Sequence, residues 1–97
     1  MTSKQRAYLK GLAMKTEPIL QLGKGGVTPE NTASVAEALE ARELIKISVL
    51  QNCLYDIREM AEVLADRTQS QVVQVIGRKI VLYKKGKKDK QKIQLPR

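Results

Sequence analysis

The chain has no histidine, no tryptophan and no phenylalanine, and it carries one cysteine. Each absence closes a class of function. Without histidine the commonest general acid–base group is missing, and Cys53 has no imidazole with which to form a reactive thiolate pair. A single cysteine cannot close an internal disulfide, and no Cys/His cluster has the spacing of a zinc site. No catalytic residue, metal, cofactor or small-molecule substrate is therefore expected, and the chain does not read as an enzyme. The lone thiol fits a reducing compartment. No apolar run reaches the length of a membrane span, and Met1–Leu20 lacks the apolar segment of a signal peptide, which together point to a cytoplasmic protein. Three tyrosines, Tyr8, Tyr55 and Tyr83, are the only aromatic residues. That is too few for a surface that stacks several splayed bases, and each reads as packing at the edge of a core.

What remains is 97 residues with a hydrophobic fraction of 42%, enough for one compact domain and no more. The net charge of +8 is distributed unevenly. Five basic residues against Glu17 give residues 1–28 a charge of +4; four against eight acids give residues 29–77 a charge of −4; nine against Asp89 give residues 78–97 a charge of +8. If folding brings the two basic ends together, one face of the protein becomes a site for a polyanion.

Local signals set the elements. Thr2 and Gln5 form a capping box that opens a helix running to about Met14, with Tyr8, Leu9, Leu12 and Ala13 as its apolar stripe. A short strand follows at Ile19–Leu22. Thr28-Pro29, a capping hydroxyl followed by proline at the first helical position, starts a second helix that ends near Arg42. Leu44–Val49 alternates as a half-buried strand, and Asp56-Ile57-Arg58-Glu59 opens a third helix with Ile57, Met60, Ala61 and Leu64 at helical spacing. Gln71–Ile76 and Lys79–Tyr83 flank Gly77-Arg78 as a hairpin. The order is α-β-α-β-α-β-β. Parallel pairing across the helical crossovers and an antiparallel terminal hairpin give a single α/β domain with a mixed sheet of about four strands. The domain is expected over residues 1–84, with residues 85–97 as a basic, solvated C-terminal tail.

Between the first strand and the second helix lies Gly23-Lys24-Gly25-Gly26. It has neither the Gly-Lys-Ser/Thr ending of a P-loop nor the glycine spacing of a dinucleotide fingerprint. It matches G-x-x-G, with which KH-type modules clamp a nucleotide backbone. The same four residues also describe a tight turn before a helix. Lys24 and the basic setting favour the phosphate reading, with amides after Thr28 adding donors. Lys84-Lys85-Gly86-Lys87-Lys88-Asp89-Lys90-Gln91-Lys92 is a dense cationic run that would make polyanion binding fall steeply with salt. No amphipathic face or lipidation motif accompanies it, so a membrane partner is not expected.

Four blocks carry a resemblance: Lys4–Ala13, Leu22–Thr28, Glu43–Ile47 and Val73–Lys84. In this order they resemble the CRM domain family (chloroplast RNA splicing and ribosome maturation), and most closely its bacterial single-domain branch, the YhbY/YqeI-type proteins. The likeness extends to the closing Ile93–Arg97. The resemblance implies a fold similar to the C-terminal domain of translation initiation factor three, RNA binding through the G-x-x-G loop, and association with precursors of the large ribosomal subunit. Gly23, Lys24, Gly25, Gly26 and Thr28 then form the expected site, widened by Lys4, Arg6, Lys10, Arg78, Lys79, Lys84 and Lys85. The expected partners are rRNA of the large-subunit precursor and ribosomal particles, bound by a monomer. Two alternatives remain: a module docking on a ribosomal protein or assembly GTPase through the acidic helices, and a polybasic membrane-surface protein. Aspartate at Gly25 or Gly26 is expected to leave folding intact and weaken RNA binding.

Overall fold

The computed structural model describes residues 1–87, 91 and 93–96. Its elements are α1 (Ser3–Met14), β1 (Leu20–Leu22), α2 (Pro29–Arg42), β2 (Leu44–Val49), α3 (Ile57–Thr68), β3 (Gln71–Ile76) and β4 (Lys79–Tyr83). Each helix begins where a side chain satisfies a free backbone donor. Thr2 Oγ1 accepts from the Gln5 amide while the Thr2 amide donates to Gln5 Oε1, so the capping box is complete. Thr28 Oγ1 accepts from the Asn31 amide at 3.0 Å, and Asp56 Oδ1 from the Glu59 amide at 2.9 Å.

The four strands form one sheet in the order β1-β2-β4-β3, with β1 parallel to β2 and β4 antiparallel to both its neighbours. The β1–α2–β2 crossover gives the expected parallel pair. After α3 the hairpin folds back, so β4 rather than β3 lies against β2. Burial explains the choice. In β4, Ile80, Val81, Leu82 and Tyr83 are all buried, which demands a central position, whereas β3 carries Gln71 and Gln74 and tolerates an edge. The connecting turn has a positive φ at Gly77 and not at Arg78, as a type II′ hairpin requires.

The sheet is packed on both faces. On one, Ile45, Ile47, Val49, Ile80 and Leu82 meet Val35 and Leu39 of α2 and Met60, Ala61 and Leu64 of α3. On the other, Leu44, Val73, Val81 and Tyr83 meet Leu9 and Ala13 of α1. That second cluster also takes in Ile93 and Leu95, both half-buried, so part of the segment expected as a solvated tail folds back onto the domain. The expectation for Lys88, Asp89, Lys90, Lys92 and Arg97 lies outside the described residues.

Glu43 fixes this return of the chain. It ends α2 with a φ of 65° and is buried. Its carboxylate accepts the Gly86 amide at 2.6 Å and the Ile93 amide at 2.7 Å, and its carbonyl accepts the Lys84 amide. Burial, and secondarily the Glu43 carboxylate, push the Tyr83 phenol above its ordinary value of 10.0. Above that pH the unfolded chain releases the proton while the folded chain keeps it. The stability is therefore complete below the unfolded value and is lost as pH rises toward the raised folded one. Tyr83→Phe is expected to flatten the alkaline limb of a stability–pH profile; an unaltered limb would place that loss on another group.

Candidate functional site

β1 ends at Leu22, and the chain turns at once through Gly23–Gly26. The turn is closed by the Gly26 amide donating to the Gly23 carbonyl at 2.9 Å. Gly26 has a φ of 64° and its carbonyl accepts Asn31 Nδ2 at 2.8 Å, so the first turn of α2 braces the loop. Lys24 and Gly25 are left exposed at the tip. The helix contributes fewer donors than its position suggests. Pro29 has no N–H, the Asn31 amide is occupied by Thr28 Oγ1, and the Thr32 amide by the Thr28 carbonyl, leaving that of Glu30 in the first turn.

The β2–α3 connection lies beside this loop. The Leu50 amide donates to the Leu22 carbonyl at 2.8 Å, and a Cβ added at Gly23 would lie 3.7 Å from Leu50 Cδ1. Arg78, from the hairpin turn, donates to the carbonyls of Val49, Leu50 and Cys53. Buried Cys53 packs its sulfur against Met60. Tyr55 then comes back over the glycines. A Cβ at Gly26 would stand 2.8 Å from its ring, and the backbone there is left-handed. This corrects the expectation for aspartate at Gly26: any side chain there displaces Tyr55 and adds backbone strain of about 1–2 kcal/mol. Gly25 has room, with Thr28 Cγ2 at an ordinary 3.5 Å.

The basic residues named from sequence divide into groups. Lys24, Arg78 and Lys79 belong to the loop end of the sheet, where Leu22 pairs with Val49 and Ser48 with Lys79. Lys79 Nζ donates to Ser48 Oγ at 3.2 Å. Lys84 and Lys85 leave β4 at the opposite end; five residues at about 3.3 Å each put Lys84 roughly 17 Å from Lys79. Arg6 points at the sheet edge, its Nη1 donating to the carbonyls of Val72 and Val73 at 2.7 and 3.0 Å. Arg6 and Arg78 thus hold the fold as well as adding charge. Lys4 and Lys10 are exposed on α1.

The chain ends do meet: Gln5 Nε2 donates to the Pro96 carbonyl at 3.1 Å, and Ile93 and Leu95 share the α1 cluster. The basic helix α1 and the returning C-terminal segment therefore occupy one side of the sheet, and the acid-rich α2 and α3 the other. Sequence reasoning overlooked three residues. Lys46 shares the α1-side face of the sheet with Ser48 and Lys79, a placement its alternation in β2 could have revealed. Glu43 gave no signal, and Tyr55, expected to pack at the edge of a core, instead stands exposed over Gly26, because both roles rest on contacts distant in sequence. Among the described residues no group of His, Cys, Asp or Glu could hold a metal ion, and no helix is long and apolar enough to cross a membrane.

Comparison with known proteins agrees with the fold and narrows the class. The family model described as the CRS1 / YhbY (CRM) domain matches residues 1–84. The chain is 53% identical over 96 residues to YqeI of Bacillus subtilis, named a probable RNA-binding protein, covering 99% of each chain. It is 35% identical to an RNA-binding protein of Haemophilus influenzae, covering 100% of this chain and 96% of that one. The solution structure of SAV1595 from Staphylococcus aureus superposes with a TM-score of 0.83 at 46% identity, over 99% of both chains.

Proposed function

Since the chain belongs to the CRS1/YhbY (CRM) domain family, we propose that it binds RNA, holding ribosomal RNA backbone at Gly23–Gly26 during assembly of the large ribosomal subunit. The observation that carries this reading is the braced loop itself. Its tip offers an exposed lysine and an exposed glycine with no side chain to keep a phosphate away, and its conformation is fixed before any ligand arrives. Lys24 pairs with phosphate, and Lys79, Lys46 and the lysines of α1 extend the positive side of the sheet. The names borne by the relatives support RNA as the ligand; the ribosomal setting is the part of this proposal that the family resemblance suggests. The protein acts in the cytoplasm, as a monomer and without a cofactor.

Gly25→Asp tests this reading, because a side chain at that position meets only ordinary contacts. A carboxylate at the loop tip is expected to weaken RNA binding at least about tenfold in a filter assay and to leave the thermal midpoint within a few degrees. Lys24→Ala should lower the slope of log affinity against log salt by about 0.7–0.9. The same Gly25→Asp protein should no longer cosediment with large-subunit precursors. Wild-type affinity in this variant would remove the loop from the mechanism.

A second reading draws on the exposed Glu30, Glu37, Glu40, Glu59, Glu62 and Asp66 of α2 and α3. This acidic side suits a basic protein partner, a ribosomal protein or an assembly GTPase. Cosedimentation that survives nuclease treatment would favour it over RNA binding.

A further inference from the structure

The stretch Asn52–Tyr55 has no motif, yet it holds the two most exposed features beside the glycine loop. Leu54 is 93% exposed and Tyr55 60% exposed, adjacent large apolar side chains with no core to fill. They are not on a loose loop. Arg78 ties the backbone at Val49, Leu50 and Cys53, the Cys53 amide donates to the Leu50 carbonyl, and Cys53 itself is buried. Asp56 follows at once as the N-cap of α3. The Tyr55 ring is therefore presented from both sides by fixed backbone, and it lies against Gly26.

A cleft of about 240 Å³ opens between this ring and the loop, lined by Gly25, Val27, Tyr55, Met60, Val63 and the acidic residues Asp56 and Glu59. Its chemistry differs from that of the loop tip. The tip is cationic and bare, suited to phosphate. The cleft is mainly apolar and aromatic with two acidic residues in its lining, Asp56 and Glu59, which disfavour phosphate. Asp56 Oδ1 caps α3, so Glu59 and the second Asp56 oxygen are the acceptors left for the amino group of a base. Phosphate and base are thus sorted by charge within the reach of a single nucleotide. We propose that Tyr55, with the cleft beside it, receives one unpaired base of the RNA whose backbone lies on Gly23–Gly26. This inference rests on the RNA-binding reading above and adds a base contact to it. A single ring suffices for one base, so the scarcity of aromatic residues does not oppose it.

The absence of tryptophan makes the test direct, because tyrosine emission is observable. Titrating the full chain with a short single-stranded RNA of mixed sequence should quench that emission. Tyr55→Phe keeps the ring but not its fluorescence; it should bind as the unmodified protein does and lose most of the quench. Tyr55→Ala should bind about tenfold more weakly with the salt slope unchanged, since a stacked base and not a phosphate is lost. Affinity of Tyr55→Ala within twofold of the unmodified protein, or a full quench in Tyr55→Phe, overturns the base contact while RNA binding stands. Failure of the unmodified protein to bind RNA overturns the functional reading, and this inference with it.

Discussion

Glu43→Ala is expected to lower stability by about 3 kcal/mol, with a fall in thermal midpoint on the order of 15 °C. The carboxylate is buried and accepts two backbone amides, those of Gly86 and Ile93. Without it both donors lose a charged acceptor, and Ile93 and Leu95 lose the tie that holds them against Leu9 and Ala13. Two companion variants separate the contributions. Glu43→Gln keeps one acceptor oxygen but turns an amino group toward the other amide, so it recovers only part of the loss. Glu43→Gly should be less harmful than Glu43→Ala, because at a φ of 65° glycine relieves strain that alanine retains. Thermal denaturation of the three variants checks the order. Equal midpoints for Glu43→Ala and the unmodified chain would mean that the carboxylate contributes no net stability.

Arg78→Ala is expected to cost about 2–3 kcal/mol, since its guanidinium satisfies three carbonyls of the β2–α3 connection. Lysine is the informative comparison. It keeps the positive charge, but one ammonium on a flexible stem cannot reproduce a planar fork that reaches three acceptors. Arg78→Lys should therefore remain destabilised by more than about 1 kcal/mol while preserving the salt dependence of RNA binding. Denaturation curves and binding isotherms measured on the same protein resolve the two effects. A lysine variant of wild-type stability would reduce Arg78 to a surface charge.

The sequence announces those parts of the fold whose causes are local. Thr2 with Gln5, Thr28 with Pro29, and Asp56 each begin a helix through a bond to an amide three residues on, and such a bond is visible in any short window. The alternation of β2 and the Gly77-Arg78 turn are equally local. Strand order was hidden because it depends on which hairpin strand needs burial on both faces, a comparison between β3 and β4 rather than a property of either. Charge was readable as a count but not as a role. Nothing in the sequence distinguishes Arg78, bound to three carbonyls, from the exposed Lys24. Glu43 looked like one more acid at the end of a helix, and its partners lie 43 and 50 residues away. The G-x-x-G loop was visible as a pattern; its neighbour Tyr55 was not, because the two meet only through β2 and α3.

The register of β4 also carries a statement about ligand length. Lys79 and Lys84 stand roughly 17 Å apart along the strand direction, and successive phosphates advance about 3.4 Å along the axis of a B-form DNA strand and less along an A-form RNA strand. A fragment of two or three nucleotides can occupy the glycine loop but cannot reach the far lysines. At least about five further steps of a helical strand are needed to span them. Affinity measured against oligonucleotide length should therefore rise in two stages, and the second stage should vanish first as salt is added.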